Sequence, residues 1–161
     1  MKENVLKILE HEKSRGNSRT FIAAHNGHIA KHNTYRNTGS LLAEKLGSGY
    51  YAIGTDFYKT SVNLPNANNA TRKNKTFYSH NPIAKACAKS KMTKAVLDFA
   101  KIDEANKRKL FINEYIPMGT LGEGYAFMMR IFPQSYRLQD IPERCYDSMI
   151  FVANAKPIVV K

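Results

Sequence analysis

Five histidines occur in 161 residues, and His25, His28 and His32 fall within one short run, His25-Asn26-Gly27-His28-Ile29-Ala30-Lys31-His32. Imidazole is the side chain whose ordinary pKa lies near neutrality, so it exchanges protons or binds metals without large tuning. The run follows directly on the apolar residues 20–24, which read as a buried strand leading into a loop. Strand ends of α/β proteins are where such groups gather into sites.

Three chemistries fit imidazoles so placed. A metal site is the first. Spacings of three and four would stack His25, His28 and His32 on one helical face, but Asn26-Gly27 is a loop signal, and zinc also needs oriented outer partners. His11-Glu12 does not open an HExxH motif, because Arg15 stands where the second histidine belongs. No metal is expected, and no other cofactor. The second is a nuclease, suggested by a His-Asn pair in a basic chain; the carboxylates or further histidines it needs are not supplied. The third is hydrolysis by activated water, in which histidine serves as base, acid or oxyanion donor once a neighbour sets its tautomer. Asp56 could orient a histidine, with a solvated loop carboxylate as the alternative. There is no GxSxG elbow, and no serine or cysteine flanked by turn glycines reads as a plausible nucleophile, so an acyl-enzyme lacks its signature. His80, before Asn81-Pro82, reads as a loop residue.

The elements that must position these groups follow from periodicity and stop signals. Residues 3–14 predict a helix with Val5, Leu6, Ile8 and Leu9 as one stripe and Gly16 as its end. Residues 20–25 predict a strand, 36–46 a helix stopped by Gly47, and 50–62 a strand in which Gly54 marks a bulge or close approach. That order is β-α-β, the pattern of a parallel crossover. Residues 64–75 read as a polar loop, 81–89 and 92–101 as helices, 109–116 as a strand ended by Pro117, and 149–152 as a buried strand. Residues 125–132 carry no clean period. The predicted class is α/β, a mixed or mainly parallel sheet flanked by helices, in a single domain over residues 1–161.

Composition narrows the function. There are 25 Lys and Arg against 13 Asp and Glu, a net charge of +12. Such a balance attracts polyanions. The cations are scattered, however, and the one cluster, Arg72-Lys73-Asn74-Lys75, reads as solvated surface, so a dedicated nucleic-acid reader is disfavoured. A hydrophobic fraction of 43% supports a real core. No apolar run is long enough for a bilayer, and the charged N-terminus is not a signal peptide, so a cytoplasmic, non-membrane protein is expected. In that setting the Asn69-Ala70-Thr71 and Asn74-Lys75-Thr76 sequons carry no meaning. Cys87 and Cys145 form no CxxC pair and read as buried thiols.

The residues His25-Asn26-Gly27-His28-Ile29, the helix from Thr38-Gly39-Ser40-Leu41-Leu42 to Gly47, and Tyr50-Tyr51-Ala52-Ile53-Gly54-Thr55-Asp56-Phe57 together resemble the erythromycin esterase family. The resemblance lies in a His-Asn-x-His loop, a Gly-Ser-x-Leu helix and a Tyr-x-x-Ile-Gly strand, in that order. Tyr146-Asp147-Ser148-Met149-Ile150-Phe151 is similar to the family's closing strand. The resemblance implies a metal-independent α/β hydrolase, distinct from the serine α/β-hydrolases, that activates water to open a macrolide ester. It places His25 in the active site with His28 beside it, supporting substrate or water. Family members are more than twice as long and carry an N-terminal Gly-Glu-x-x-His-Gly segment holding the main base, which is absent here. The chain thus resembles a partial esterase-like domain: a fragment, a subunit completed by an N-terminal counterpart, or a reduced relative that only binds. Surface left uncovered by the missing part predicts homo-oligomerisation. The expected ligand is a small-molecule ester; the rival reading is a non-catalytic module or subunit, a basic nucleic-acid binder included.

Overall fold

The computed structural model describes residues 1–66, 71–120, 124, 126, 128–132 and 137–157, with Arg130 described in its backbone only. Helix α1 (Lys2–Ser14) begins the chain, and the four-residue turn α2 (Asn26–Ile29) carries the histidine run. Helix α3 (Thr38–Leu46) follows, then the long strand β1 (Ile53–Pro65) and β2 (Arg72–Tyr78). Next come α4 (Pro82–Lys89), β3 (Lys94–Asp98), α5 (Glu104–Lys109) and β4 (Ile116–Gly119). The chain closes with α6 (Met128–Ile131), β5 (Arg137–Asp140), α7 (Pro142–Cys145) and β6 (Ser148–Ala155).

The main sheet has the order β2-β1-β6-β3 and is mixed, as an α/β fold allows. β1 runs parallel to β6, with Ile53 opposite Ser148, whereas β2 and β3 are antiparallel to their neighbours. A second, two-stranded sheet pairs β4 with β5. Helix α4 packs on β1 and β6, burying Ile83, Ala84 and Cys87 against a core that includes Phe99, Met118, Tyr146, Met149 and Phe151. Both cysteines are buried, as expected.

Local signals that set these elements are visible in the chain. Asn37 caps α3 by accepting from Ser40 N while Ser40 Oγ accepts from Asn37 N, a reciprocal capping box. Gly47 ends that helix with a positive φ of 54°. Gly54 is the predicted close approach: a Cβ there would lie 2.9 Å from carbons of the buried Tyr146 ring.

Four expectations are corrected. Residues 20–25 form no strand; Phe21 is 86% exposed, and the parallel partner of β1 is β6. An extended segment becomes a strand only by exchanging hydrogen bonds with a neighbour. β2 pairs only with positions 59–65 of β1, and on that side the first half of β1 meets a side chain, Asn26, instead of a strand. Residues 92–101 form β3 and a 3₁₀ turn rather than a helix, because antiparallel pairing to β6 overrides the helix propensity of Lys, Ala and Leu. Residues 109–115 are the end of α5 and a turn, and β4 begins at Ile116; the helix is started by the Asp103 cap, which accepts from Asn106 N at 2.9 Å. Pro117 lies within β4, tolerated in a two-stranded sheet whose strands are both edges. The polar loop of residues 64–75 is in its described part a hairpin, held by Asn63 to Asn74 at 2.9 Å and by Arg72 to Asn63. Of the segment 125–132, Tyr125 and Phe127 lie outside the described residues, as does Asn69 of the first sequon.

Candidate functional site

The histidine run is bolted down at almost every turn. Asn26 Nδ2 donates to Thr55 O at 2.6 Å and its Oδ1 accepts from Thr55 N at 3.0 Å, so one side chain pairs with β1 as a strand residue would. The buried Asn37 donates to Gly27 O at 2.7 Å, tying α3 to the loop. Tyr50 OH donates to Ile29 O at 2.6 Å; burial and then the Asp147 carboxylate push that phenol up to about 12. Lys31 N donates to Cys145 O, and its ammonium pairs with Asp147 at 2.5 Å. His32 Nδ1 lies 2.6 Å from Asp140 and its Nε2 lies 2.9 Å from an Arg144 nitrogen.

These anchors divide the three imidazoles. His32 is spent on structure: burial, the largest influence, would raise the pKa of Asp140, but the hydrogen bonds from His32, Ile141 N and Cys145, with the charge of His32, together outweigh it and hold the carboxyl below its usual range. His25 and His28 are exposed, their ring centroids 6.2 Å apart and their planes near perpendicular. His25 caps α2 by accepting Gly27 N–H at its Nδ1, 3.2 Å away. A neutral ring whose Nδ1 is an acceptor carries its proton on Nε2.

His25 lines a cavity of about 320 Å³ formed between the β1–β2 hairpin, the turn before α4, and the β4–β5 sheet. Its wall is apolar at Phe57, Val62, Leu64 and Phe77, and its polar groups include Asn26, Asp56, Ser79, His80 and Arg137. Such a mixture of apolar wall and few convergent polar groups is characteristic of small-molecule sites. His28 is not part of the lining. His80 and Arg137 are, and sequence reading had no period or motif to mark either. His80 is a loop residue as read, but it borders the cavity, and burial, then Arg137 and Lys85, lower its pKa.

Asp56 is neither a solvated loop carboxylate nor, by the bonds it makes, an orienter of the histidine loop. It lies in β1, is 4% exposed, and accepts from Phe57 N at 2.7 Å, Asn81 Nδ2 at 2.9 Å and Gly119 N at 3.4 Å. Burial raises its pKa, and these donors pull the other way.

The metal-type donors that do converge are not the three histidines of the run. Among the described residues, His32, Asp140 and Cys145 bring ligand atoms within 4.8 Å of one another. The set suits a cation poorly, since the Arg144 guanidinium already lies against the imidazole, and burial pushes the Cys145 thiol up to about 12. No helix among the described residues is long and apolar enough to cross a membrane.

Comparison with known proteins places the chain. A protein from Bacillus cereus of known structure matches with a TM-score of 0.70 and 21% identity over 85% of this chain and 34% of its own. A succinoglycan biosynthesis protein matches with a TM-score of 0.70 and 17% identity over 86% of this chain and 33% of its own. At these identities the likeness shows a shared α/β fold, and the chain spans about a third of each structure. No curated protein matches. The family model described as erythromycin esterase matches residues 1–155. With nearly its whole length matched, the chain belongs to the erythromycin esterase family.

Proposed function

We propose that the chain forms one wall of an ester-hydrolysing site in which His25 is the working imidazole. The observation that carries this reading is His25 at the cavity, with its tautomer set by Gly27 N–H, in a chain of a hydrolase-like family. Water adds to the ester carbonyl carbon, the carbonyl oxygen takes the negative charge, and collapse of the adduct breaks the bond to the alcohol oxygen. With the proton on Nε2, His25 is suited to donate to that developing oxyanion rather than to deprotonate the water. His28, one ring away and outside the lining, is suited to support only a substrate that reaches past His25. The proton acceptor then comes from a counterpart corresponding to the part of the larger structures that this chain does not span. The substrate is a small-molecule ester, a macrolide being the one the family name suggests; neither metal nor cofactor is required, and the setting is cytoplasmic.

A second reading, a binding subunit without turnover, is favoured by the exposed Phe21 and by α1, which buries no residue. Hydrolysis of p-nitrophenyl butyrate decides between them. It is measured for the chain alone and with a polypeptide corresponding to the uncovered part of the Bacillus cereus structure, each with and without His25→Ala. Loss of an oxyanion donor lowers turnover about 10²–10³-fold. Turnover indifferent to His25 overturns the site, and no turnover in any mixture leaves the binding subunit.

A further inference from the structure

We infer that His80 and Arg137 form an anion-recognising end of the cavity, so that its ligand is an apolar body carrying one acidic group. This rests on the cavity being the binding site proposed above, and it adds the charge class of the ligand.

Asp56 is the one carboxylate among the described lining residues. Both its oxygens are turned onto protein donors: Oδ1 onto Phe57 N, and Oδ2 onto Asn81 Nδ2 and Gly119 N. Those last two contacts fasten the segments that carry the basic groups. Asn81 is next to His80, and Gly119 is the cross-strand partner of Arg137 at the start of β5. A buried carboxylate therefore holds two basic side chains at the same cavity while its own lone pairs are engaged elsewhere. The wall beside them, Val62, Leu64 and Phe77, offers apolar surface.

The charges that act on His80 are positive. Arg137 and Lys85 both disfavour the protonated form of His80, after burial itself. A ligand anion placed there relieves that repulsion and takes charge-assisted hydrogen bonds from a guanidinium that stays charged at any working pH. An uncharged ligand of the same shape gains neither.

The matched dyes 1-anilinonaphthalene-8-sulfonate and N-phenyl-1-naphthylamine test this, because they differ by one sulfonate. Titrated into the full chain and followed by fluorescence, the anionic dye is expected to bind more tightly. Arg137→Gln is expected to weaken the sulfonate about tenfold and to leave the neutral dye within about twofold. His80→Gln weakens the sulfonate less. Lys45→Gln, at an exposed position outside the cavity, leaves both dyes unchanged. Equal affinity for the two dyes overturns the inference. So does a loss shared by both dyes in Arg137→Gln with far-UV circular dichroism intact, or an equal loss in Lys45→Gln, which would assign the preference to net charge. Turnover is not read, so a chain that hydrolyses nothing still answers the question, and a neutral-preferring cavity leaves the hydrolase reading standing.

Discussion

Replacing Asn81 by Ala tests the joint that the cavity depends on. Asn81 is fully buried, caps α4 by accepting from Ile83 N at 2.9 Å, and donates to the buried Asp56 carboxylate at 2.9 Å. Loss of an N-cap costs about 1 kcal/mol. Loss of a charge-assisted bond to a buried carboxylate costs about 1.5–3 kcal/mol more, so the total is about 2–4 kcal/mol at neutral pH. The cost carries a pH signature. Burial already raises the folded pKa of Asp56 above its unfolded value, so this group penalises folding as pH rises from the unfolded to the folded pKa. The Asn81 bond lowers that folded pKa, and removing it raises the value further. The destabilisation is therefore largest above the folded pKa of Asp56 and shrinks as pH falls through it, where Asp56 takes up a proton and needs the donor less. Urea melts of both proteins across this range give the comparison, with an expected neutral-pH midpoint shift on the order of 1–2 M. A pH-independent loss below about 1 kcal/mol would refute the reasoning, because it would mean that Asp56 does not depend on Asn81.

Two further outcomes follow from packing. Gly54→Ala pushes a methyl into the Tyr146 ring from 2.9 Å and should cost about 1–3 kcal/mol, read as a lower melting temperature. An unchanged melting temperature would show that Tyr146 can give way. Phe21→Ser should leave stability within about 0.5 kcal/mol, since the ring is 86% exposed, while reducing self-association in size-exclusion chromatography. A large stability loss there would mean that Phe21 is packed rather than exposed.

Elements whose instructions are local were legible in the chain. α3 carries its cap at Asn37 and its stop at Gly47, α4 its cap at Asn81 and a Pro at its start, and β6 is an apolar run too short for a helix. The His-Asn-x-His loop, the Gly-Ser helix and the Ile-Gly strand were enough to recognise the family that residues 1–155 match. Where pattern and pairing disagreed, pairing won. Lys94–Asp98 would suit a helix and becomes a strand because β6 offers an edge, while residues 20–25 would suit a strand and form none, since β1 is paired there with β6 on one side and meets the Asn26 side chain on the other.

The sequence by itself determined the ends of α1, α3 and α4, the close approach at Gly54 and the presence of three imidazoles in one run, because each was read from residue types and local spacing. Only the tertiary structure decided where each imidazole sits and what it meets. His32 was taken by Asp140, 108 positions away, and Asn26 by Thr55, 29 positions away. His80 and Arg137 met at the cavity through Asp56, to which each owes its place by way of a neighbour. Such long-range pairings are set by chain closure and burial, which no local spacing encodes.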